Sequence, residues 1–380
     1  MIQLAQKDEC CGCHACKNIC PSHCIGMEAD SEGFFYPKVD GNICTDCGLC
    51  ETVCPMLFPV PAKNSPNAFA AWNNSEAIRT DSSSGGVFYS LMRMTFQQGG
   101  VVWGAGFDET MILCHQSAAN EADGKKLMGS KYLQSRINDT YQVIGDELRD
   151  GRQVLFSGTP CQVAGLYGFL GKNYDNLLTC DVVCHGVPSP KVFAAYRAVL
   201  ERRYGAITKR IAFRRKDCGW KRYSVSLSFD NDTEYRRVLT EDPFMFGFLA
   251  NIYLRPSCHS CRFSRLPRVA DISMGDFWGV DNHHPEWNDD RGLSLILVQT
   301  EKGQKAFETC RAGLTVHEAD LDTAIQSNPC ICGSVEPGKR RDDFFIDLDR
   351  LPFEKMIRKY MTRPNLLQRA VNRAKRVVGC

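Results

Sequence analysis

The N-terminal part of the sequence carries the run Cys10-x-x-Cys13-x-x-Cys16-x-x-x-Cys20-Pro21, which returns as Cys44-x-x-Cys47-x-x-Cys50-x-x-x-Cys54-Pro55. Gaps of two residues let a tight loop present three thiolates on one side of a small object. The proline that follows each run turns the chain away, so the fourth thiolate of the run binds at a different site. The spacing therefore predicts two sites, each with three cysteines from one run and one from the other.

This spacing is typical of bacterial-type 2[4Fe-4S] ferredoxins, in which the fourth cysteine of a run ligates the other cluster. We therefore expect two [4Fe-4S] clusters, the first held by Cys10, Cys13, Cys16 and Cys54 and the second by Cys44, Cys47, Cys50 and Cys20. A pair of structural zinc sites is the alternative, but zinc knuckles rarely repeat a three-plus-one pattern with both prolines. Two neighbouring clusters would carry electrons one at a time.

Composition limits the class of protein. A chain of 380 residues is long enough for two or three domains, and its net charge of +2 gives no bias toward nucleic acid. The 21 cysteines are far above ordinary usage, yet the chain is no small secreted disulfide scaffold. Because cluster ligands must be reduced, and neither a signal region nor a membrane-spanning apolar run is evident, we expect a cytoplasmic protein of an anaerobic cell.

A proline-rich stretch behind the cysteine runs, from Pro55 to Pro66, predicts a stiff linker that holds two domains at a fixed distance. We expect an α+β chain with a 2[4Fe-4S] ferredoxin-type domain (1–62), two halves of a mixed α/β domain with antiparallel strands inserted (63–150 and 151–335), and a basic tail (336–380). In the tail, residues 365–378 suggest a basic amphipathic helix. It either packs on the body or contacts an anionic membrane face or acidic partner.

Two further cysteines follow predicted buried strands. The strand 153–157 runs into Gly158-Thr159-Pro160-Cys161, and the strand 177–183 runs into Cys184-His185-Gly186. Strand, turn and helix in this order place ligands at strand ends, so both thiols should reach one edge of a sheet. Further along the chain, Cys258 and Cys261 form a Cys-x-x-Cys pair, which is a redox dithiol, a zinc half-site or a cluster half-site. Together these thiols form a complete set for a third [4Fe-4S] cluster, with zinc as the alternative: Cys161, Cys184, Cys258 and Cys261.

Several residues outside these sets have two interpretations. The stretch Ser83-Ser84-Gly85-Gly86 precedes an apolar helix, so its free N–H groups could bind a phosphate, or the stretch could be a plain helix cap. Lys131 could face an anionic cofactor or lie on the surface, and Asp276 could cap a turn or bond a cofactor.

For several other residues we expect a structural role only, or assign no role. We expect Cys11 and Cys24 to be small buried hydrophobes and His185 to be a hydrogen-bonded turn residue. The pair Cys330-Ile331-Cys332 has no evident role.

Five motifs in one order behind the cysteine runs resemble the family of coenzyme F(420) hydrogenase/dehydrogenase beta subunits. They are Ser83-Ser84-Gly85-Gly86, Gly158-Thr159-Pro160-Cys161-Gln162, Cys184-His185-Gly186-Val187-Pro188, Cys258-x-x-Cys261 and Asp271-Ile272-Ser273-Met274-Gly275-Asp276-Phe277-Trp278-Gly279. The resemblance spans residues 1–320 and implies a flavin-binding α/β domain. In this family a flavin exchanges hydride with a soluble substrate, and clusters carry single electrons. Relatives use a deazaflavin, reduce tetrapyrroles, or accompany surface-polysaccharide genes.

The resemblance implies an iron–sulfur flavin-dependent oxidoreductase, with FAD favoured over FMN. Residues Ser83 to Gly86 would hold the flavin phosphates and Lys131 would lie near the flavin, while the strand-end turns add Gly158, Thr159 and Asp276 as cofactor-binding candidates. No nucleophilic or paired-carboxylate constellation occurs, so the catalytic residues are unknown.

The expected partners are ferredoxin or another one-electron protein and a small-molecule hydride donor or acceptor. The alternative is a non-catalytic electron-transfer subunit of a larger complex. A radical enzyme that uses S-adenosylmethionine is disfavoured, because no Cys-x-x-x-Cys-x-x-Cys run occurs.

Overall fold

The computed structural model describes residues 2–4, 6–61 and 64–362. The strands are β1 (Ile25–Ala29), β2 (Phe35–Val39), β3 (Asn67–Asn73), β4 (Val101–Phe107), β5 (Leu113–Ala118), β6 (Val154–Gly158), β7 (Leu177–Val182), β8 (Thr208–Arg215), β9 (Ser224–Phe229), β10 (Glu234–Val238), β11 (Ile272–Asp276), β12 (Ser294–Val298) and β13 (Leu314–Ala319). The predicted helix over residues 365–378 lies outside the described residues.

The helices alternate with the strands through most of the chain. They are α1 (Ala15–Ile19), α2 (Leu49–Thr52), α3 (Glu76–Asp81), α4 (Val87–Gln97), α5 (Glu121–Gly124), α6 (Thr140–Arg149), α7 (Pro160–Leu170), α8 (Pro190–Tyr204), α9 (Pro243–Leu249), α10 (Glu301–Cys310), α11 (Leu321–Ser327), α12 (Arg341–Leu348) and α13 (Phe353–Tyr360). None of the described helices is long and apolar enough to cross a bilayer.

An eight-stranded sheet in the order β13-β3-β12-β11-β7-β6-β4-β5 forms the centre of the large domain. Its four middle strands, β11, β7, β6 and β4, are parallel, and antiparallel strands extend it on both sides. The middle strands are apolar on both faces because helices cover both: Leu155 packs with α4 and α10, and Phe156 packs with α6 and α7. The carboxyl ends of the parallel strands therefore share one edge.

A separate three-stranded antiparallel sheet, β10-β9-β8, follows α8. It packs on α8 and α9 through an aromatic cluster that includes Phe193, Phe213 and Phe244. Helix α9 ends at Leu249, because Asn251 takes a left-handed conformation with φ 56°. The segment behind it then forms an antiparallel bridge between Leu254 and Pro188.

The cysteine-rich domain is built on the hairpin β1–β2 with α1 and α2. It packs directly on the large domain. Its residues Ala15, Val53 and Met56 share one hydrophobic cluster with Tyr141 of α6 and Leu166 of α7. The predicted mixed α/β domain behind a small cysteine-rich domain is confirmed, but the two parts form a common core.

Candidate cluster and flavin sites

The second cluster site is a pocket in the cysteine-rich domain. Its walls include all four predicted ligands, together with one further thiol: Cys20, Cys44, Cys47, Cys50 and Cys24. The thiol of Cys24 lies 3.3 Å from that of Cys20, so Cys24 is buried, as expected, but lies beside a predicted ligand. The backbone N–H of Ile2 donates to Cys50 Sγ at 3.2 Å, a contact that tunes cluster sulfurs in iron–sulfur proteins.

The first cluster site brings together cysteines from both runs. Burial raises the pKa of the Cys16 thiol, and the nearby Cys10 and Cys54 raise it further. A hydrogen bond with Cys11 acts to lower the pKa of Cys13, but burial raises it, and the nearby Cys16 and Cys10 raise it further, so Cys13 lies in the same group. The backbone N–H of Gly12 donates to Cys10 Sγ at 3.4 Å. Cys10, Cys16 and Cys54 therefore lie close together, as the crossed arrangement requires, and the assignment of ligands to each cluster stays a prediction.

The third cluster site is a pocket at the carboxyl edge of the parallel strands. Three separate pieces of chain contribute its predicted ligands: the start of α7, the loop after β7, and the short 3-10 helix Pro256–Cys258 with the turn behind it. The four half-buried thiols that line it are those of Cys161, Cys184, Cys258 and Cys261. The structure thus brings together thiols that lie far apart in the sequence.

The buried thiols of the third pocket favour the binding of a positively charged metal group. Burial raises the pKa of Cys184 well above its usual range, and its neighbours Cys258 and Cys161 raise it further. Burial also raises the pKa of Cys258 to about 12, although the N–H of Val187 donates to its Sγ at 3.4 Å. Thiolates in this pocket therefore need a positive charge nearby to stabilise them, and the iron ions of a cluster would supply it. Within the described ranges, no three His, Cys, Asp or Glu side chains converge on a single metal ion.

One thiol outside the predicted ligand sets, that of Cys11, lines this pocket, and a second, that of Cys330, lies beside a lining residue. Cys11 is buried, as expected, but it also lines the third pocket, and its thiol contacts those of Cys13 and Cys161. Cys330 lies 3.8 Å from Nδ1 of His185, whose Nε2 bonds Asn251 Oδ1 at 2.7 Å. His185 is thus a hydrogen-bonded turn residue. The spacing of the cysteines gave no signal for the position of Cys11 between the first and third sites.

The serine–glycine loop before α4 is held by the central sheet. The N–H of Gly85 donates to Ser294 Oγ at 2.9 Å, and Ser84 Oγ donates to the carbonyl of Leu293 at 2.8 Å. A Cβ atom on Gly85 would lie 2.3 Å from the carbonyl oxygen of Ala71. Packing against β3 and β12 therefore requires a glycine at this position, with or without a ligand.

Two other flavin candidates meet this loop. Gly86 directly precedes α4 with φ 86°, and no side chain of the described residues caps the helix start. Ser83 Oγ accepts from the N–H of Ser130 at 2.7 Å, which brings Lys131 beside the loop. Lys131 donates to the carbonyl of Met128 at 2.7 Å, and burial lowers its pKa to about 7. An uncapped helix start and a nearby lysine suit a phosphate.

Asp276 is bound by protein partners. It forms a buried ion pair with Arg214 and accepts a hydrogen bond of 2.7 Å from Trp220 Nε1. Its neighbour across the sheet is Ser294, the residue that holds Gly85. Asp276 therefore belongs to the same edge as the loop, but its carboxylate positions Arg214 and does not face a cofactor freely.

Arg214 was not among the residues predicted for the flavin site. It is 7% exposed and lies over the ring of Tyr223 at 4.4 Å, yet its Nε and Nη2 have no partner among the described residues. A buried guanidinium with two open donors beside the loop fits an anionic or carbonyl-rich cofactor. An arginine inside an ordinary antiparallel strand gave no pattern to recognise.

The remaining candidates, Gly158 and Thr159, lie at the start of α7. Thr159 caps this helix together with Gln162, and its Oγ1 lies 3.1 Å from Cys161 Sγ. Thr159 therefore contacts a lining residue of the third pocket, and Gly158 is the last residue of β6 before it.

Comparisons with known proteins agree with this architecture. Residues 151–323 match the family described as the C terminus of the coenzyme F(420) hydrogenase/dehydrogenase beta subunit, and residues 9–57 match the 4Fe-4S dicluster domain. Residues 151–323 belong to this family of beta subunits. The resemblance predicted from the motifs is confirmed, and the chain is an iron–sulfur, oxidoreductase-like protein related to these beta subunits.

One curated relative is the F subunit of the F(420)H(2) dehydrogenase from Methanosarcina mazei. It is 20% identical over 338 residues, which cover 84% of this chain and 87% of the relative. A chain of the F(420)-reducing [NiFe] hydrogenase complex from Methanosarcina barkeri is similar with a TM-score of 0.46 and 18% identity. That match covers 71% of this chain and 92% of the other.

Proposed function

We propose that the chain is an iron–sulfur flavoprotein oxidoreductase. It exchanges hydride between a flavin, FAD in preference to FMN, and a soluble organic substrate, and it passes single electrons through three [4Fe-4S] clusters to ferredoxin or a similar protein. The observation that carries the proposal is the third pocket. Four predicted ligands line it on the sheet side, and Cys11 and Met56 of the cysteine-rich domain line it on the other.

The position of this pocket supports a continuous electron path. Cys161 of the third site contacts Cys11, which contacts Cys13 of the first site, and Cys54 of the first site is near Cys50 of the second. Three cluster sites in contact would form one electron-transfer path from the large domain to the surface of the cysteine-rich domain. A cytoplasmic, reducing setting is part of this proposal, because the ligands must be thiolates.

The residues around the serine–glycine loop support a flavin at the same sheet edge. The open start of α4 would bind a phosphate, while Arg214 supplies two open N–H donors and Lys131 supplies a positive charge. When bound, a flavin accepts electrons in pairs and releases them singly, which is the conversion that a hydride-to-cluster path requires. The role of the protein is to hold this group dry and close to the third pocket.

A second candidate is a non-catalytic electron-transfer subunit of a larger complex. It is favoured by the name of the curated relative, which is a subunit of a dehydrogenase. That name also makes reduced coenzyme F(420) the first hydride donor to test. The link to surface-polysaccharide biosynthesis rests on the family resemblance alone and stays a prediction.

Anaerobic stopped-flow spectroscopy of the isolated protein with bound FAD tests the proposal. Reduced coenzyme F(420) and other soluble hydride donors should bleach the flavin, and oxidised ferredoxin should restore its absorbance. In Cys184→Ser, donor-dependent bleaching should persist while transfer to ferredoxin falls at least tenfold, because the third site is broken. Cys310→Ser, at a buried cysteine of α10, is the matched control. A flavin that is reduced from the ferredoxin side and by no hydride donor would favour the electron-transfer subunit.

A further inference from the structure

Arg255 is a fully buried cation at the boundary between the two domains, with 0% of its surface exposed. Its guanidinium donates from Nε to the carbonyl of Cys10 at 2.9 Å, from Nη2 to the carbonyl of Phe35 at 3.0 Å, and from Nη1 to Gln134 Oε1 at 3.0 Å. All three acceptors are neutral. No carboxylate of the described residues forms an ion pair with Arg255.

Two other buried arginines of the chain are charge-paired. Arg268, which is also almost fully buried, pairs with Asp181, and Arg214 pairs with Asp276. An arginine cannot lose its proton in a protein, and an uncompensated buried charge costs several kcal/mol. A compensating negative charge is therefore required near Arg255.

The surroundings of Arg255 indicate where this charge lies. A Cβ atom on Gly12 would lie 2.8 Å from Nη1, so the loop between Cys10 and Cys13 is seated directly on the guanidinium. The ring of Tyr36 covers it at 4.4 Å. Burial acts to lower the pKa of Arg255, but Cys10, Cys11 and Cys258 act to raise it. The backbone N–H of Cys258 also donates to the carbonyl of Arg255 at 2.9 Å, so residues of the first and third sites contact the same arginine.

We propose that Arg255 is the shared counter-ion of the first and third cluster sites. The inference rests on the proposed function, because it requires clusters at both sites. A [4Fe-4S] cluster with four thiolate ligands is anionic and gains one more negative charge on reduction. A buried cation between two such clusters stabilises the reduced form of each, and so raises both reduction potentials relative to the second cluster.

The test is a redox titration of the full-length, anaerobically purified protein, followed by EPR spectroscopy. Signals are assigned with Cys184→Ser for the third cluster and Cys47→Ser for the second. Arg255→Gln should make reduction of the first and third clusters at least tenfold less favourable, about 59 mV for each one-electron couple, and leave the second unchanged. Arg255→Lys keeps the charge but loses the planar set of N–H donors. It should leave the reduction potentials of the first and third clusters close to their wild-type values.

Arg341→Gln is the matched control. Arg341 also reaches this boundary and donates to the carbonyl of Leu254 at 3.1 Å, but its charge is paired with Glu32 of the cysteine-rich domain. Its loss should loosen the boundary without shifting the potentials. If Arg255→Gln does not assemble clusters, the comparison of Arg255→Lys with Arg341→Gln decides. Reduction potentials in Arg255→Lys that stay at the wild-type values support the counter-ion. Equal decreases of the reduction potentials in Arg255→Lys and Arg341→Gln overturn it.

Failure of this inference differs from failure of the proposed function. A shift confined to one cluster, or equal in all three, overturns the shared counter-ion and leaves the function intact. A wild-type protein with about eight irons would contradict the third cluster itself, and the shared counter-ion with it.

Discussion

Gly165 of α7 lies directly against Cys13 of the first cluster site. A Cβ atom on Gly165 would lie 2.8 Å from Cβ and 3.0 Å from Sγ of Cys13. One turn further along the helix, a Cβ atom on Gly168 would lie 2.4 Å from the carbonyl oxygen of Val53. Both contacts place the cysteine-rich domain on one face of α7. The helix that presents Cys161 to the third pocket thus also supports the first.

We predict that Gly165→Ala destabilises the protein and lowers its iron content. The new methyl group cannot be accommodated without moving Cys13, and such overpacking costs roughly 1–3 kcal/mol, more than alanine gains in a helix. Thermal unfolding and iron analysis of the anaerobic protein measure both effects.

Gly145→Ala in α6 is the control, since its Cβ would lie no closer than 3.4 Å to any neighbour. This variant should be neutral or slightly more stable. Equal stability and iron content in the two variants would show that the contact at Cys13 is loose.

Deletion of residues 1–62 should prevent the rest of the chain from folding stably. The removed piece contributes Cys11, Ala15, Val53 and Met56 to a core shared with α6 and α7. Each large apolar side chain that is lost there costs about 1.5–3 kcal/mol. The yield of soluble protein and its thermal unfolding are the measurements, and a truncated protein that unfolds as cooperatively as the full chain would contradict the common core.

Flavin affinity should depend on pH through Lys131. Burial lowers its pKa to about 7, so the side chain is cationic below this pH and neutral above it. Flavin phosphates stay anionic, and affinity should therefore fall as pH rises above about 7. The nearby His115 does not contribute, because burial lowers its pKa to about 4. Fluorescence titration of the cluster-loaded protein with FAD measures the profile.

Lys131→Met should weaken flavin binding at low pH and flatten this profile. Lys126→Met is the control, because the Lys126 side chain is exposed and pairs with Asp123. An unchanged pH profile in Lys131→Met would remove Lys131 from the flavin site.

Features encoded by neighbours in the chain were predictable from the sequence. The strands predicted over residues 153–157 and 177–183 are found at Val154–Gly158 and Leu177–Val182, because apolar runs that end in turn residues are local signals. The convergence of Cys161 and Cys184 was also predictable. Parallel strands end at one edge, so the turns behind them meet.

Features that depend on contacts across the chain were not predictable. Arg255 stands between Leu254 and Pro256 with no pattern around it, and its environment is created by Cys10, far away in the sequence. Gly165 looks like any tolerated helix glycine until Cys13 is packed on it. Asp276 likewise looked open to a cofactor, because its partner Arg214 comes from another sheet.

The iron and acid-labile sulfide content of the anaerobically purified chain tests the central claim, a third cluster at Cys161, Cys184, Cys258 and Cys261, most directly. We predict about twelve irons per wild-type chain, about eight in Cys184→Ser, and about twelve in Cys310→Ser. A wild-type chain with about eight irons and one zinc would contradict the third cluster and the electron path built on it.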